Sequence, residues 1–196
     1  MTNRKYELKK RAERQEETRE RIVEAAIHLH ETVGAQGATI SAIAQQAGVE
    51  RLTVYRHFPD ERSLVSACTS HYFARHPSPD TEQWRAIVEP AVCLRTALAE
   101  IYAYYRQTEA MMDSIYRNLA FVPVLQELLE PFFAKWIAFT DMLVEKFAVD
   151  HDQRILLRSA VALAIHFLAW RTLIREQGLE DAQAVEVMVN MIVCLC

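Results

Sequence analysis

The side chains with the most evident chemistry lie in the segment Thr39–His57, TISAIAQQAGVERLTVYRH. Arg51, Leu52, Thr53, Tyr55, Arg56 and His57 follow one another around Val54, and Thr39 stands at the head of the segment. If Val54 turns inward on a short helix, the outer face carries two guanidiniums, hydroxyls, an imidazole and an apolar tip. Arginine forks onto O6 and N7 of guanine, threonine or leucine touches a thymine methyl, and tyrosine and histidine hold phosphate oxygens. That chemistry suits the major groove of a nucleic-acid duplex. The same residues also suit an ordinary helical hairpin with a solvated basic face, so the surrounding elements must discriminate.

A helix-turn-helix needs a small residue where its helices cross and a glycine at the turn, where a side chain would strain a positive φ. Ala44 and Gly48 meet those needs, and Ile40, Ile43, Ala47, Val49 and Val54 lock one helix to the other. Thr39 caps the helix predicted over 40–47, and the outward-facing helix follows over 51–58. Before them, Ile22, Ala25, Ala26, Leu29 and Val33 recur at three- and four-residue steps and predict an amphipathic helix over 16–33, with Gly34 and Gly37 at its end. A helix over 61–75 follows Pro59. The Pro-punctuated joint at 76–80 predicts a boundary between a DNA-binding domain at 16–76 and a larger helical domain at 77–196. That domain reads as helices near 90–107, 109–119, 122–147, 152–177 and 181–195, with Pro131 kinking or splitting the third. The fold class is all-α.

Composition narrows the alternatives. The chain has 196 residues, 51% hydrophobic and 24% charged, which is too apolar for disorder, and only 4 Gly, which speaks against Gly-rich nucleotide loops and turn-rich β folds. The net charge of −4 hides an asymmetry. Residues 1–76 hold 12 Lys and Arg against 10 Asp and Glu, while residues 77–196 hold 10 against 16. A basic end on an acidic body suits a module that meets phosphate. Cys68, Cys93, Cys194 and Cys196 form no CxxC pair, and no His or carboxylate cluster joins them. Neither a metal nor a cofactor is expected. There is no secretory signal and no apolar run long enough for a membrane span, so a cytoplasmic protein is expected. HExxH, GxSxG, P-loop and GxGxxG motifs are absent, which argues against an enzyme. A small helical enzyme or a helical interaction protein without DNA contact remains the alternative.

Residues 20–65 resemble the N-terminal domain of the TetR family of transcriptional repressors. The resemblance rests on Arg21-Ile22-Val23-Glu24-Ala25-Ala26, Gly37-Ala38-Thr39, Ile43-Ala44-Gln45-Gln46-Ala47-Gly48-Val49 and Thr53-Val54-Tyr55-Arg56-His57-Phe58-Pro59, with Leu64 and Val65 after them. It covers about a quarter of the chain. The resemblance implies Thr39, Tyr55 and His57 as phosphate contacts and Arg51, Leu52, Thr53 and Arg56 as base readers. Glu50, Leu52 and Glu61 depart from the residues usual in the family, and the two carboxylates oppose DNA unless they point away.

Residues 1–15 form a basic N-terminal arm with Arg4, Lys5, Lys9, Lys10, Arg11 and Arg14. Its charges either follow DNA or decorate a solvated extension of the first helix. In the larger domain, aromatic and thioether side chains suit a pocket for a small, mostly apolar effector. Its candidate lining is Tyr105, Met112, Tyr116, Phe132, Trp136, Phe139 and Trp170, with His166 as polar anchor, though each also reads as ordinary core. Arg106 and Arg117 are candidates to neutralise an acidic ligand. Residues 152–196 carry apolar faces broad enough to be covered on two sides, and the resemblance implies a homodimer through them. Such a dimer would read a pseudo-palindromic double-stranded operator and leave it when the effector binds.

Overall fold

The computed structural model describes the backbone of residues 2–196 and the side chains from Tyr6 onward. Met1 and the side chains of Arg4 and Lys5, part of the expected arm, lie outside the described residues. All regular structure among the described residues is helical: α1 Thr2–Thr32, α2 Gly34–Gly37, α3 Ile40–Ala47, α4 Arg51–His57, α5 Glu61–Arg75, α6 Glu82–Ala86, α7 Pro90–Asn118, α8 Pro123–Val144, α9 His151–Ala164, α10 Phe167–Arg171 with a π-helical turn Thr172–Glu176, and α11 Asp181–Val193. Among them, no single helix is long and apolar enough to cross a membrane. The chain divides into two compact units. The first joins residues up to Arg75 with 113–128, and the second joins 76–112 with 129–196. The end of α7 and the start of α8 thus belong with the N-terminal helices, instead of 77–196 forming one unit.

In the first unit, α1 starts far ahead of the expected Glu16. Residues 2–15 hold no Gly or Pro and are dominated by Lys, Arg, Glu and Ala-type helix formers. Lys9 and Glu13 pair at 3.8 Å one turn apart. This stretch is exposed on all its described sides, and burial begins at Ile22 and Val23. From there α1 packs on α3 and α5, and α3 on α4. Ile22, Ala26, Ile43, Ala44, Val54, Phe58 and Leu64 form the shared core. Cys68 joins them, and burial pushes its thiol up to about 12. Arg75 ties α5 to Glu24 of α1 at 3.1 Å.

The helix-turn-helix takes the form its residues dictate. Thr39 Oγ1 accepts the Ala42 N–H at 3.2 Å, closing the start of α3. Gly48 adopts φ +65° and ψ +41°, and its N–H donates to the carbonyls of Ala44 and Gln45. A side chain there would strain the backbone even though the space beside it is open. Thr39→Ala is expected to cost about 1 kcal/mol of stability, or roughly 4–8 °C in the thermal midpoint of a unit this size. Thermal unfolding followed by circular dichroism checks it, and Thr39→Ser should hold the wild-type midpoint.

The second unit differs from the predicted helices at three places. Residues 90–118 form one helix instead of two, because nothing between 107 and 109 breaks it. Thr108, fully buried, satisfies its hydroxyl on the Tyr104 carbonyl one turn back at 2.8 Å. Pro131 lies on the exposed side of α8 and does not split it. The expected helix 152–177 is instead broken at Ile165–His166, with its two parts bent by 59°. The carbonyls freed there are taken up from α7: Tyr102 OH donates to Ala164 O at 2.9 Å, and Tyr105 OH to Ile165 O at 2.5 Å. His166 Nδ1 accepts the Leu168 N–H at 3.2 Å and so caps α10.

Candidate nucleic-acid interface

The α4 helix presents its residues as two faces. Val54 is fully buried, while Arg51, Tyr55 and Arg56 are exposed and Leu52 stands 76% exposed. Thr53 and His57 are half-buried at the edges. A leucine this bare leaves most of its apolar surface in water. The Arg56 guanidinium leans along the helix toward Thr53 Oγ1, 3.5 Å away, and has no carboxylate partner among the described residues. Thr39, exposed at the head of α3, keeps its side chain on the Ala42 N–H. The structure thus gathers Arg51, Leu52, Thr53, Tyr55, Arg56 and His57 on one short helix. Val54 and Phe58 of the same segment anchor it to α1 and α3.

The charges along this face are mainly cationic and disfavour a further cation. Burial, then Arg56 and Arg19, lower the His57 pKa, which leaves a neutral imidazole at pH 7 able to donate one N–H. Arg19 lies over the Phe58 ring at 5.2 Å and pairs with Glu16 at 3.7 Å. Glu50 holds the N-cap position of α4, exposed, with no capping hydrogen bond from its side chain. Glu61 is exposed in the first turn of α5. One flank of α4 borders a cleft of about 460 Å³ whose other wall is α1. The sequence reading places Arg11 and Arg14 in an arm; the structure adds Gln15, Thr18 and Arg21 to the same wall. The signal was present in the spacing 11, 14, 18, 21, which is one stripe of a helix.

Residues 22–68 match the sequence profile of bacterial regulatory proteins, tetR family. The first unit carries a TetR-family module. The TetR-family match stops within α5, but similarity extends further. Over 115 residues the chain is 29% identical to the class D tetracycline repressor protein of Escherichia coli, covering 53% of each protein. Over 88 residues it is 35% identical to the HTH-type transcriptional regulator SrpR of Pseudomonas putida, covering 41% of this chain and 40% of that one. The chain thus spans about half the length of the tetracycline repressor it matches. Two solved structures share the fold across nearly the whole chain. A transcriptional regulator from Rhodococcus sp. Rha1 superposes with a TM-score of 0.65 at 18% identity, covering 90% of this chain and 96% of that one. A regulator from Saccharomonospora viridis, solved in complex with choline, superposes at 0.66 and 18% identity, covering 91% and 96%.

The candidate effector residues do not share one environment. Trp136 stacks on Tyr105 with ring centroids 5.3 Å apart and meets Phe139 edge-on at 5.1 Å and Phe132 at 5.6 Å. Tyr105 also meets Trp170 at 5.7 Å. These rings fill one another's space, as core aromatics do. Met112 is fully buried, Tyr116 belongs to the first unit, and His166 is exposed as a helix cap and not an apolar-face anchor. Arg106 is committed within the second unit. It grips Asp181 through Nε and Nη2 at 2.6 and 2.8 Å, and this pairing holds the Asp181 carboxyl below the usual range. Trp170 Nε1 donates to the same carboxylate at 3.1 Å. Arg117 Nε donates to the Asp113 carbonyl at 3.2 Å.

On the second unit's remaining surface, α9 and α10 expose Ile155, Leu156, Leu163 and Leu168, and α11 exposes Val187 and Met191. The opposite faces of these helices are buried through Leu157, Val161, Val185, Val189 and Ile192.

Proposed function

We propose that this chain is a DNA-binding transcriptional regulator, a repressor whose homodimer reads a pseudo-palindromic operator and leaves it when a small, mostly apolar effector binds. The observation that carries the reading is α4: a short helix anchored by Val54, with Arg51, Leu52, Tyr55 and Arg56 turned outward. Arg51, Leu52, Thr53 and Arg56 read base edges, and Thr39, Tyr55 and His57 hold phosphates. One such helix spans only a few base pairs, so two copies about 34–36 Å apart are needed for a specific site. The exposed leucines of α9 and α10 and the Val187 and Met191 side of α11 supply the dimer face, within residues 152–196. Such an interface buries roughly 2,000 Å² or more. The proteins that this chain matches are transcriptional regulators, among them a tetracycline repressor, and a fold neighbour holds choline. An effector acts through its unequal affinity for the DNA-competent and released arrangements of the dimer. The protein works in the cytoplasm and needs no cofactor.

Selection of duplexes from a random-sequence pool tests the reading. The wild-type chain is expected to enrich an inverted repeat with half-sites one helical turn, or a multiple, apart. An unenriched pool, or a single asymmetric site, refutes it.

A further inference from the structure

The cleft between α1 and α4 has a charge pattern unlike the rest of the molecule. Arg11, Arg14, Arg21 and Arg56 line it together with His57, and Glu50 is its single carboxylate. None of these four arginines pairs with a carboxylate among the described residues. Many arginines elsewhere are matched to carboxylates, among them Arg62 to Glu127, Arg75 to Glu24, Arg95 to Glu186, Arg158 to Asp141 and Arg175 to Glu109. The acidic residues of the α1 overhang that form ion pairs do so with other cations, Glu13 with Lys9 and Glu16 with Arg19. Cations gathered in a concave site without counter-charges repel one another, and an anion seated among them removes the repulsion.

We propose that this cleft grips the phosphodiester backbone of the duplex beside the half-site read by α4, extending the contact along the overhang of α1. This rests on the DNA-binding reading above and names a further contact of the same site. Three features favour this occupant. Arg56 and His57 belong both to α4 and to the cleft, so a ligand on α4 continues directly into it. The lining offers guanidiniums and the hydroxyls of Thr18 and Thr53, but no Tyr, Phe or Trp on which a base would stack, so it fits phosphate and not a base. The stripe from Arg11 to Arg21 rises about 15 Å along α1, longer than the ~3.4 Å axial interval between phosphates of one strand. It therefore follows a backbone segment and not one isolated anion.

The test uses the full chain and the duplex enriched by selection. The double variant Arg11→Gln, Arg14→Gln keeps helix-forming side chains on an exposed face, and circular dichroism verifies that α1 is retained. Binding is followed by anisotropy from about 50 to 200 mM salt, with hydroxyl-radical footprinting beside it. The slope of log affinity against log salt should shallow by about 2, since each lost phosphate contact removes about 0.9. Affinity near 0.15 M salt should fall roughly tenfold, and protection should be lost at the backbone positions flanking each half-site while the half-site remains protected. A variant with the wild-type slope, or with the wild-type flanking protection, overturns the cleft contact and leaves the regulator reading standing. If the wild-type chain enriches no duplex, the regulator reading itself falls and takes the cleft with it.

Discussion

Replacing Arg51 and Arg56 together by alanine is expected to weaken binding to the selected duplex by roughly 30-fold to 10⁴-fold, because each arginine that forks onto a guanine is worth about 1–3 kcal/mol. Both side chains are exposed and Val54, not they, anchors α4 to the core. The loss should therefore come without a matching loss of fold, since exposed substitutions of this kind usually fall within about 0.5 kcal/mol. Anisotropy titration at fixed salt measures the first quantity and thermal unfolding the second. The single variants divide the roles. A base reader relaxes sequence preference at one position, whereas a phosphate contact weakens all duplexes alike and shallows the salt slope by about 1. Wild-type affinity in the double variant would remove α4 from the interface.

Leu156→Glu combined with Met191→Glu is expected to turn the proposed dimer into a monomer. In the single chain these side chains are 60% and 57% exposed, so a carboxylate at either place is well solvated before association. Buried across a two-fold interface, each would lose its water without gaining a partner, at a cost of at least about 2 kcal/mol apiece. Both copies carry both charges, so the four carboxylates together cost about 8 kcal/mol and the dimer dissociation constant should rise by roughly 10⁵-fold or more. Light scattering behind size exclusion at micromolar chain concentration reads the mass directly. Val88→Glu, at a position 89% exposed outside α9 and α11, serves as control and should leave the mass unchanged. The monomer should also bind the inverted repeat no better than an isolated half-site, because one recognition helix spans too few base pairs. A dimer that survives both charges places the interface elsewhere.

What could be read from residues and what could not divides by the range of the interactions. The α3–α4 hairpin was legible because every contact that makes it lies within about twenty residues: Thr39 on the Ala42 N–H, Gly48 in the left-handed region, Ala44 and Val54 at the crossing. The start of α1 was misplaced because an apolar stripe marks only where a helix is covered. Residues 2–15 are helical by propensity and local pairing, with no hydrophobic face to announce them.

The second unit shows the converse. The run Ile155 to Trp170 looks continuous in sequence, yet it breaks at Ile165. The donors that satisfy its freed carbonyls, Tyr102 and Tyr105, are about sixty positions away on α7. The aromatic residues chosen as pocket lining do converge, but composition does not tell a ring facing a void from one facing another ring, and Tyr105, Trp136, Phe139 and Trp170 face one another. Arg106 offers the same lesson for charge: its partner Asp181 is distant in sequence and adjacent in space. By itself, then, the order of residues determined the all-helical class and the chemistry of α4, because capping, turn geometry and 3.6-residue periodicity act over a few neighbours. Only tertiary structure decided where helices break, which charges are neutralised and that α1 and α4 enclose a cleft of unpaired arginines. Those outcomes depend on which remote groups meet, and a linear pattern does not encode distance.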